Sequence, residues 1–273
     1  MSQIKNNQQK YGMGYSETFV NFLKKRRVET HAQFLLPYLK PGLKILDCGC
    51  GPGSMTIGFA RCSQNGEVMG IDIEDSQLEI AREDAKKAGV TNVTFQHANV
   101  LELPFADNTF DIVFSQGLIS HFSNPLAVVL EQKRVVKAGG IVAAHNGYMS
   151  GAAFYPTNAI LEEAHDFGKQ PCAAHGGHGG DPDIGIKLGR LFVDAGFVDI
   201  KHTMFCDIND VKEIAYFFAD EVLQREYNKK LLAQGEITLE KLQSYRDAWL
   251  DFAKTPHAFS YFPWGEVIGF KPI

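Results

Sequence analysis

The fold is decided by residues 45–54, which read Ile-Leu-Asp-Cys-Gly-Cys-Gly-Pro-Gly-Ser. Pro41-Gly42 ends the preceding segment, and Leu43, Ile45 and Leu46 then form the short apolar run of a buried strand. Ser54 is a good N-cap residue for the helix that follows. The stretch therefore predicts a strand, a glycine-rich turn and a helix. Such a turn lets a ligand approach the backbone and leaves amide groups free at the helix start.

The spacing of the glycines distinguishes two kinds of nucleotide ligand. A dinucleotide turn reads G-x-G-x-x-G, whereas here Gly53 comes one position early. Asp47 precedes the first glycine, where a carboxylate repels a pyrophosphate but suits a cationic amino group. A second apolar run ends about twenty residues later at Asp72, the usual position of a ribose-binding acid. A ribose and an ammonium group without a pyrophosphate describe S-adenosylmethionine.

These motifs, in this order and spacing, resemble class I S-adenosylmethionine-dependent methyltransferases, and especially the small-molecule group of ubiquinone/menaquinone-biosynthesis type enzymes. The resemblance is strong over residues 15–147 and looser beyond them. It implies an α/β fold with a doubly wound, mostly parallel, seven-stranded sheet (Rossmann-like) and helical lid insertions. It also implies transfer of a methyl group to a small organic acceptor by in-line displacement.

Apolar periodicity predicts the other elements along the chain. Strands are expected at 68–72, 93–97, 110–116, 141–144, 197–204 and 266–270, with a turn at 137–140. Helices are expected at 16–39, 76–89, 128–136, 157–167, 186–195, 209–234 and 238–253. We expect a single domain over 1–273, divided into an N-terminal helical cover (1–40), a cofactor-binding core (41–150) and lid insertions (151–185 and 207–258).

The resemblance and the ends of the predicted strands together assign a cofactor site. Asp47 and the glycine turn would hold the methionine end, Asp72 the ribose, and Asn99 with Val100 the adenine. Relatives usually carry an acid at the position of Asn99, and an amide oxygen can accept the same hydrogen bond. The expected set is Tyr15, Asp47, Gly49, Cys50, Gly51, Gly53, Asp72, Ile73, Gln77, Asn99, Val100, Ser115 and Gln116.

Two members of this set have an equally good structural interpretation. Tyr15, which the resemblance places near the methionine end, could instead be a packing residue at the start of a helix. Gln77, which the resemblance places near the ribose, could instead be a first-turn residue that faces water. Ser115 and Gln116 belong to the set because they end a predicted strand, and ligands bind at the carboxyl edge of such sheets.

Methyl transfer from a sulfonium depends on alignment and exclusion of water more than on a general base. Two histidines at the ligand edge, His121 and His145, are the candidate catalytic groups, because imidazole titrates near neutrality. Either could act as a base or orient the acceptor. The alternative for His121 is helix capping or a hydrogen bond to nearby backbone.

A glycine-rich loop invites a metal interpretation, because Cys172, His175, His178 and Asp181 are zinc-ligand residue types at short spacing. The spacing is not a usual structural zinc pattern, and the glycines suit a mobile lid equally well. We therefore predict no metal site.

The net charge of -5 and the pI near 6.0 argue against broad attraction to nucleic acid or to an anionic membrane. The basic run at 24–27 is interpreted as a solvated helix face beside the site. Five cysteines make a disulfide framework unlikely and favour a reducing compartment. With a polar N-terminus and no apolar run of membrane-spanning length, a cytoplasmic protein is expected, as a monomer or homodimer.

Two other functions remain open, and a third is disfavoured. An RNA or protein methyltransferase is disfavoured by the acidic balance and by the lack of a recognisable nucleic-acid module. A regulatory protein that binds S-adenosylmethionine without turnover is the alternative outside enzymology. The glycine spacing disfavours a nicotinamide dehydrogenase.

Overall fold

The structure is a computed structural model that describes residues 13–173, 179–207 and 210–273. Its strands are β1 Lys44–Cys48, β2 Glu67–Asp72, β3 Val93–His97, β4 Phe110–Gln116, β5 Val136–Gly147, β6 Ala153–Tyr155, β7 Val198–Asp207 and β8 Phe259–Phe270. Its α-helices are α1 Glu17–Lys24, α2 Val28–His31, α3 Ser54–Cys62, α4 Asp75–Lys87, α5 Pro125–Val135, α6 Ala159–Ala173, α7 Leu188–Asp194, α8 Val211–Gln224, α9 Glu226–Gln234 and α10 Leu239–Lys254.

The strands form an eight-stranded sheet in the order β3-β2-β1-β4-β5-β8, and both β6 and β7 pair with β8. β1 to β5 run parallel, whereas β8 is antiparallel to its neighbours. The strand order reverses between β1 and β4, and sheets of this kind bind ligands at the carboxyl edge beside such a reversal. The doubly wound, mostly parallel sheet is confirmed, with eight strands instead of seven. The additional strand, β6, is only three residues long and has no recognisable period.

Apolar side chains cover both faces of this sheet. The neighbours Ile45 and Leu46 belong to different clusters, because successive side chains of a strand point to opposite faces. Phe59 of α3 and Phe114 pack in the cluster of Ile45, at a centroid separation of 4.9 Å. Phe192 of α7 packs in the cluster of Leu46. Helices therefore lie on both faces and leave the carboxyl edge for the site.

A third apolar cluster lies beyond the sheet, among α1, α6, α8 and α10. Trp249 of α10 is only 1% exposed, and its ring stacks on Phe218 of α8 at 4.7 Å. Phe19 of α1 and Phe262 of β8 join the same cluster. The helices that the sequence predicts as lid insertions therefore have a hydrophobic core of their own.

Two long helices expected from periodicity are broken. The segment 16–39 divides into α1, α2 and a 3₁₀ helix, because Arg27 is extended (φ -134°, ψ 146°) and Pro37 lacks a backbone N–H. The segment 209–234, of which residue 209 lies outside the described residues, divides at Arg225 into α8 and α9. There Asn228 Nδ2 donates to the Val222 carbonyl at 2.8 Å, which satisfies a carbonyl at the end of α8.

Two strand boundaries also differ from expectation. Residues 137–140 are part of β5 and not a separate turn, because Gly139 N–H donates to the Lys271 carbonyl (2.9 Å) and Lys271 N–H donates to the Gly140 carbonyl (3.0 Å). The final strand begins at Phe259 instead of Glu266, since its first part pairs with β6 and β7. Long-range pairing extends both strands beyond what local pattern indicates.

Among the residues that the structure describes, no helix is both long enough and apolar enough to cross a membrane.

Candidate active site

A cavity of about 270 Å³ lies at the carboxyl edge of the sheet. One wall, called here the turn side, consists of lining residues within 47–55, 71–73 and 98–100. The opposite wall, called the lid side, consists of lining residues within 13–26, Gly168, the α8–α9 region and β8. Residues 116–118 and 120–122 connect the two walls.

The glycine turn forms the floor of the turn side. Gly49 and Gly53 have positive φ angles of 71° and 80°. A Cβ atom at Gly49 would lie 2.8 Å from Leu118 Cδ1, and one at Gly53 would lie 2.6 Å from Ala81 Cβ. Gly49 lines the cavity, whereas Gly53 lies behind the wall and allows α3 to pack close to α4. Both positions therefore require glycine.

The N-terminus of α3 differs in detail from the sequence interpretation. Gly53 is the N-cap residue and Ser54 is the first helical residue. The Ser54 hydroxyl donates to the Leu23 carbonyl at 3.0 Å, so that it joins the turn to the end of α1. The N-terminal segment is thus attached directly to the turn.

Asp72, at the end of β2, is held by the backbone on both carboxylate oxygens. Gly51 N–H donates to Oδ2 at 2.8 Å, and Glu74 N–H donates to Oδ1 at 3.0 Å. Burial raises the pKa of Asp72, and these backbone hydrogen bonds oppose that rise. Each oxygen retains acceptor capacity, and the residue lines the cavity. The arrangement suits two neighbouring hydroxyl groups, such as those of a ribose.

Asp47, at the end of β1, is a buried carboxylate in the cavity wall with 2% of its surface exposed. Thr56 Oγ1 donates to Asp47 Oδ2 at 2.6 Å. Burial raises the pKa of Asp47 to about 7, the Thr56 hydrogen bond opposes that rise, and the charge of Asp72 adds to it. A ligand ammonium group would compensate a buried carboxylate in this position.

The wall beyond Asp72 is formed by Ile73, Ala98, Asn99 and Val100. Asn99 Oδ1 accepts a hydrogen bond from Leu101 N–H at 3.0 Å, which fixes the side chain. A carbonyl oxygen has two lone pairs, so Asn99 can accept a second hydrogen bond from a ligand amino group. Val100 is buried and Ile73 is 45% exposed at the mouth of this region.

Gln116 and His145 are register partners at the ends of β4 and β5. Gln116 lines the cavity, and its Nε2 lies 3.3 Å from His145 Nδ1. His145 is fully buried outside the wall, 4.9 Å from the ring of Trp264. Burial lowers the pKa of His145 well below its usual range, and Arg26 and His31 lower it further. His145 is therefore placed to orient Gln116 instead of contacting a ligand in this cavity.

His121 occupies the connecting part of the wall, on a 3₁₀ helix at Ile119–His121. Ser120 N–H donates to Asn146 Oδ1 at 3.3 Å, and Asp181 N–H donates to the Ser120 carbonyl at 2.8 Å. The histidine is thus held between β5 and the loop before α7. It is the candidate catalytic residue that reaches the cavity.

Of the other expected residues, Cys50 and Gly51 line the turn side and Tyr15 lines the lid side. Gln77 and Ser115 do not line the cavity, although both are buried. Gln77 therefore does not face water, contrary to its alternative interpretation. Its Oε1 atom has no hydrogen-bond partner among the described residues.

Arg26 is a cavity residue that sequence reasoning assigned to a solvated helix face. Its guanidinium lies 5.4 Å from the Trp264 ring centroid, and both residues line the cavity. Its neighbours Lys24 and Lys25 do face outward, where they pair with Asp84 and Glu213. Recognising that α1 ends at Lys24 could have distinguished Arg26 from Lys24 and Lys25, because Arg26 lies beyond the helix.

A second cavity residue, Arg225, carried no sequence signal at all. It is 4% exposed and stands at the break between α8 and α9. The break consists of a single non-helical residue (φ -60°, ψ 132°) between two helices, so periodicity could not locate it.

No group of three or more potential metal ligands occurs among the described residues. Three of the residues considered for a metal, Cys172, His175 and His178, have side chains outside the described part of the structure. Asp181 is described, and its carboxylate pairs with Lys187. The four described cysteines are not disulfide-bonded.

Comparison with known proteins gives one family match. The profile of a methyltransferase-domain family matches residues 39–181, which is more than half of the chain. The matched segment includes the whole turn side of the cavity and the connecting residues around His121.

Two relatives are similar in sequence. An uncharacterized methyltransferase of Schizosaccharomyces pombe is 36% identical over 179 residues, which cover 63% of this chain and 63% of that protein. The demethylmenaquinone methyltransferase of Bacillus cytotoxicus is 40% identical over 105 residues, which cover 38% of this chain and 44% of that enzyme. The chain thus spans less than two thirds of the length of the relatives it matches.

A solved structure shows the same fold. Phosphoethanolamine N-methyltransferase 2 of Haemonchus contortus, in complex with S-adenosyl-L-methionine, has a TM-score of 0.56 at 18% identity. The match covers 94% of this chain and 57% of that one.

Proposed function

The chain belongs to the S-adenosylmethionine-dependent methyltransferase family, and we propose that it transfers the methyl group of that cofactor to a small, largely apolar organic acceptor. The observation that carries the proposal is the composition of the cavity. A buried carboxylate, Asp47, and a half-buried one, Asp72, meet a glycine turn on one wall, while aromatic side chains form the other.

The turn side fits the cofactor by the chemistry of its groups. Asp72, fixed by two backbone N–H groups, would accept hydrogen bonds from the ribose hydroxyls. Asp47 would hold the ammonium group, and Asn99 would accept a hydrogen bond from the adenine amino group. Arg26 supplies a positive charge that suits the methionine carboxylate.

When bound, S-adenosylmethionine supplies a methyl group whose bond to the positively charged sulfur breaks, leaving the electron pair on sulfur as a bond forms from the methyl carbon to the acceptor. The protein aligns the two partners and excludes water, which supplies much of the rate enhancement in such a reaction. We assign the proton of a protonated acceptor to the His121 imidazole, which lines the connecting wall.

The acceptor side supports a small molecule. The cavity is lined on this side by apolar aromatic side chains, namely Phe19, Phe22, Phe217, Phe218 and Phe262. A macromolecule would need an open docking groove instead. The Bacillus cytotoxicus relative is named as a demethylmenaquinone methyltransferase, which supports an organic molecule as the acceptor.

The division of the chain follows from the same cavity. We propose that residues 1–40 cover the cofactor, that 41–150 bind it, and that 151–185 and 207–258 enclose the acceptor. The described parts of these segments, including Tyr15, Gly168 and Phe217, supply lining residues to the lid side.

The proposal is tested by calorimetric titration with S-adenosylmethionine and, separately, with NADH. We expect S-adenosylmethionine to bind and NADH not to bind. Asp72→Ala should weaken S-adenosylmethionine binding by about tenfold or more, because hydrogen bonds to a charged group are lost. The matched control is Asp75→Ala, whose exposed carboxylate pairs with His97 outside the cavity.

Transfer is tested by incubating the protein with trideuteromethyl-labelled cofactor and a set of aromatic acceptors. A product that carries the labelled methyl group is expected from at least one acceptor and not from the Asp72→Ala variant at the same cofactor concentration. Folded protein that binds no S-adenosylmethionine would overturn the proposal.

A further inference from the structure

The lid side contains a buried guanidinium that the binding of the cofactor does not explain. Arg225 lines the cavity and is 4% exposed. Its Nη1 donates to the Gly168 carbonyl of α6 at 2.9 Å, and its Nε lies 3.5 Å from Glu221 Oε2. These contacts fix the side chain between two lid helices.

The guanidinium is held in place but retains hydrogen-bonding capacity. A guanidinium has five N–H donors, and the contact with Gly168 is the one hydrogen bond that the guanidinium of Arg225 donates within the described part of the chain. A buried arginine with donors to spare is costly unless a partner binds them. The cavity is where such a partner can be accommodated.

Resting on the proposed function, we propose that Arg225 determines acceptor specificity by donating a hydrogen bond to a neutral oxygen, carbonyl or phenolic, on an otherwise apolar aromatic acceptor. The aromatic walls bind the ring system, and Arg225 selects the molecule that carries an oxygen in the right place.

The charge balance distinguishes a neutral oxygen from an anion. Glu221 is fully buried beside Arg225, and Ser16 Oγ donates to its Oε1 at 2.6 Å. The carboxylate therefore neutralises the guanidinium within the protein. An acceptor carboxylate would add a third, uncompensated charge to this buried pair, which is unfavourable, whereas a carbonyl or phenol adds none.

The position of Arg225 separates it from the cofactor groups. Its contacts are to α6 and α8, both lid helices. Arg26, by contrast, lies beside Gly117 at the end of β4, where its Nη1 would be 3.9 Å from a Cβ atom. The two arginines thus contact different elements: Arg26 lies beside Gly117 and the Trp264 ring of β8, whereas Arg225 contacts α6 and α8.

The test uses the full chain saturated with S-adenosylhomocysteine and three naphthalene probes of similar shape, measured by equilibrium dialysis. 2-Acetylnaphthalene carries a neutral oxygen, 2-ethylnaphthalene carries none, and 2-naphthoate carries an anion. The protein variants are wild type, Arg225→Lys, the double variant Arg225→Met with Glu221→Gln, and the control Arg246→Met. The double variant removes both buried charges together, and Arg246 lies on α10 outside the cavity.

We expect wild type to bind 2-acetylnaphthalene about tenfold more tightly than 2-ethylnaphthalene, and 2-naphthoate no more tightly than 2-acetylnaphthalene. The double variant should lose the preference for the acetyl compound while it binds 2-ethylnaphthalene and S-adenosylhomocysteine as wild type does. Arg225→Lys should retain part of the preference, and Arg246→Met all of it.

Each contrary outcome has a separate meaning. Failure of wild type to bind S-adenosylhomocysteine overturns the proposed function itself. If S-adenosylhomocysteine binds but the acetyl preference survives in the double variant, or if no probe binds, the role of Arg225 is wrong. Tighter binding of 2-naphthoate would show an anionic acceptor, and a loss of S-adenosylhomocysteine affinity in the double variant would place Arg225 at the cofactor end; either result overturns the inference.

Discussion

The turn side and the lid side enclose the same cavity but are held together by different interactions. On the turn side, the backbone of Gly51 fixes Asp72, 21 residues away, and Thr56 fixes Asp47, nine residues away. On the lid side, Ser16 reaches Glu221 across 205 residues. The first wall is held by contacts between residues that are close in sequence, and the second is assembled from side chains that are distant in sequence.

This difference indicates how one fold can combine a fixed cofactor site with a variable acceptor site. Backbone hydrogen bonds on the turn side are independent of most side chains. The lid side depends on the packing of its own apolar cluster, in which side chains can be exchanged without altering the sheet. The two walls should therefore respond separately to mutation.

The largest expected effect is a loss of stability that is confined to the lid side. Trp249→Ala removes a side chain that is 1% exposed at the centre of the lid cluster. We expect a loss of about 3–5 kcal/mol of stability, as for other large-to-small core changes. Hydrogen exchange should rise in α6, α8 and α10 and stay unchanged in β1, β2 and β4.

Tyr216→Ala is the matched control, because this aromatic side chain on α8 is 50% exposed. It should change stability by less than about 0.5 kcal/mol. Equal acceleration of exchange throughout the sheet in Trp249→Ala would show that the two walls form one cooperative unit, and the comparison would then be wrong.

An effect of intermediate size is the pH dependence of stability that Asp47, on the turn side, should cause. The pKa of Asp47 rises on folding from 3.8 to about 7. Between these values the folded protein binds more protons than the unfolded chain, so its stability falls as pH rises from about 4 to about 7. Asp47→Asn removes this dependence, and should be more stable relative to wild type at about pH 8 than at about pH 5. Thermal melts of the cofactor-free proteins measure it.

The same carboxylate should act in the opposite sense on cofactor binding. S-adenosylhomocysteine should bind wild type more tightly as pH rises through about 7, since the ionised Asp47 attracts an ammonium group. Asp47→Asn should bind more weakly and show no such rise. Thr56→Val removes a hydrogen bond that lowers the pKa, so it should move the midpoint upward. A pH profile for Asp47→Asn identical to that of wild type would contradict the assignment.

The contrast between local and distant interactions also explains what the sequence could predict. Asp47, Asp72 and the glycine turn can be assigned from their spacing, their charge and the family resemblance, since a strand-turn-helix unit fixes the position of the turn locally. Arg225 could not be, because the helix breaks at that residue alone (φ -60°, ψ 132°) and its partner Gly168 lies 57 residues away. His145 was placed at the correct edge of the sheet, but only packing against Trp264 shows that it lies outside the wall.

The smallest expected effects come from two links between α1 and α8, which are both helices of the lid side. Ser16 Oγ accepts from Phe19 N–H at 3.0 Å as the N-cap of α1 and donates to buried Glu221. Lys25 Nζ lies 2.6 Å from Glu213 Oε1, but the lysine side chain is 61% exposed. Both links connect the same two helices, but the Ser16–Glu221 contact involves a buried carboxylate, whereas the Lys25–Glu213 contact is exposed to water.

We expect the buried link to contribute more to stability than the exposed one. Ser16→Ala removes a helix cap and leaves a buried carboxylate oxygen without its donor, so it should cost about 1–3 kcal/mol in urea unfolding. Lys25→Ala removes an exposed ion pair and should cost less than about 1 kcal/mol. If the two losses were equal, or if that of Lys25→Ala were larger, surface charge and not the buried contact would hold the N-terminal helix against the lid. Because Glu221 also neutralises Arg225, the loss in Ser16→Ala should be accompanied by weaker binding of the neutral acetyl probe, an effect that Lys25→Ala should lack.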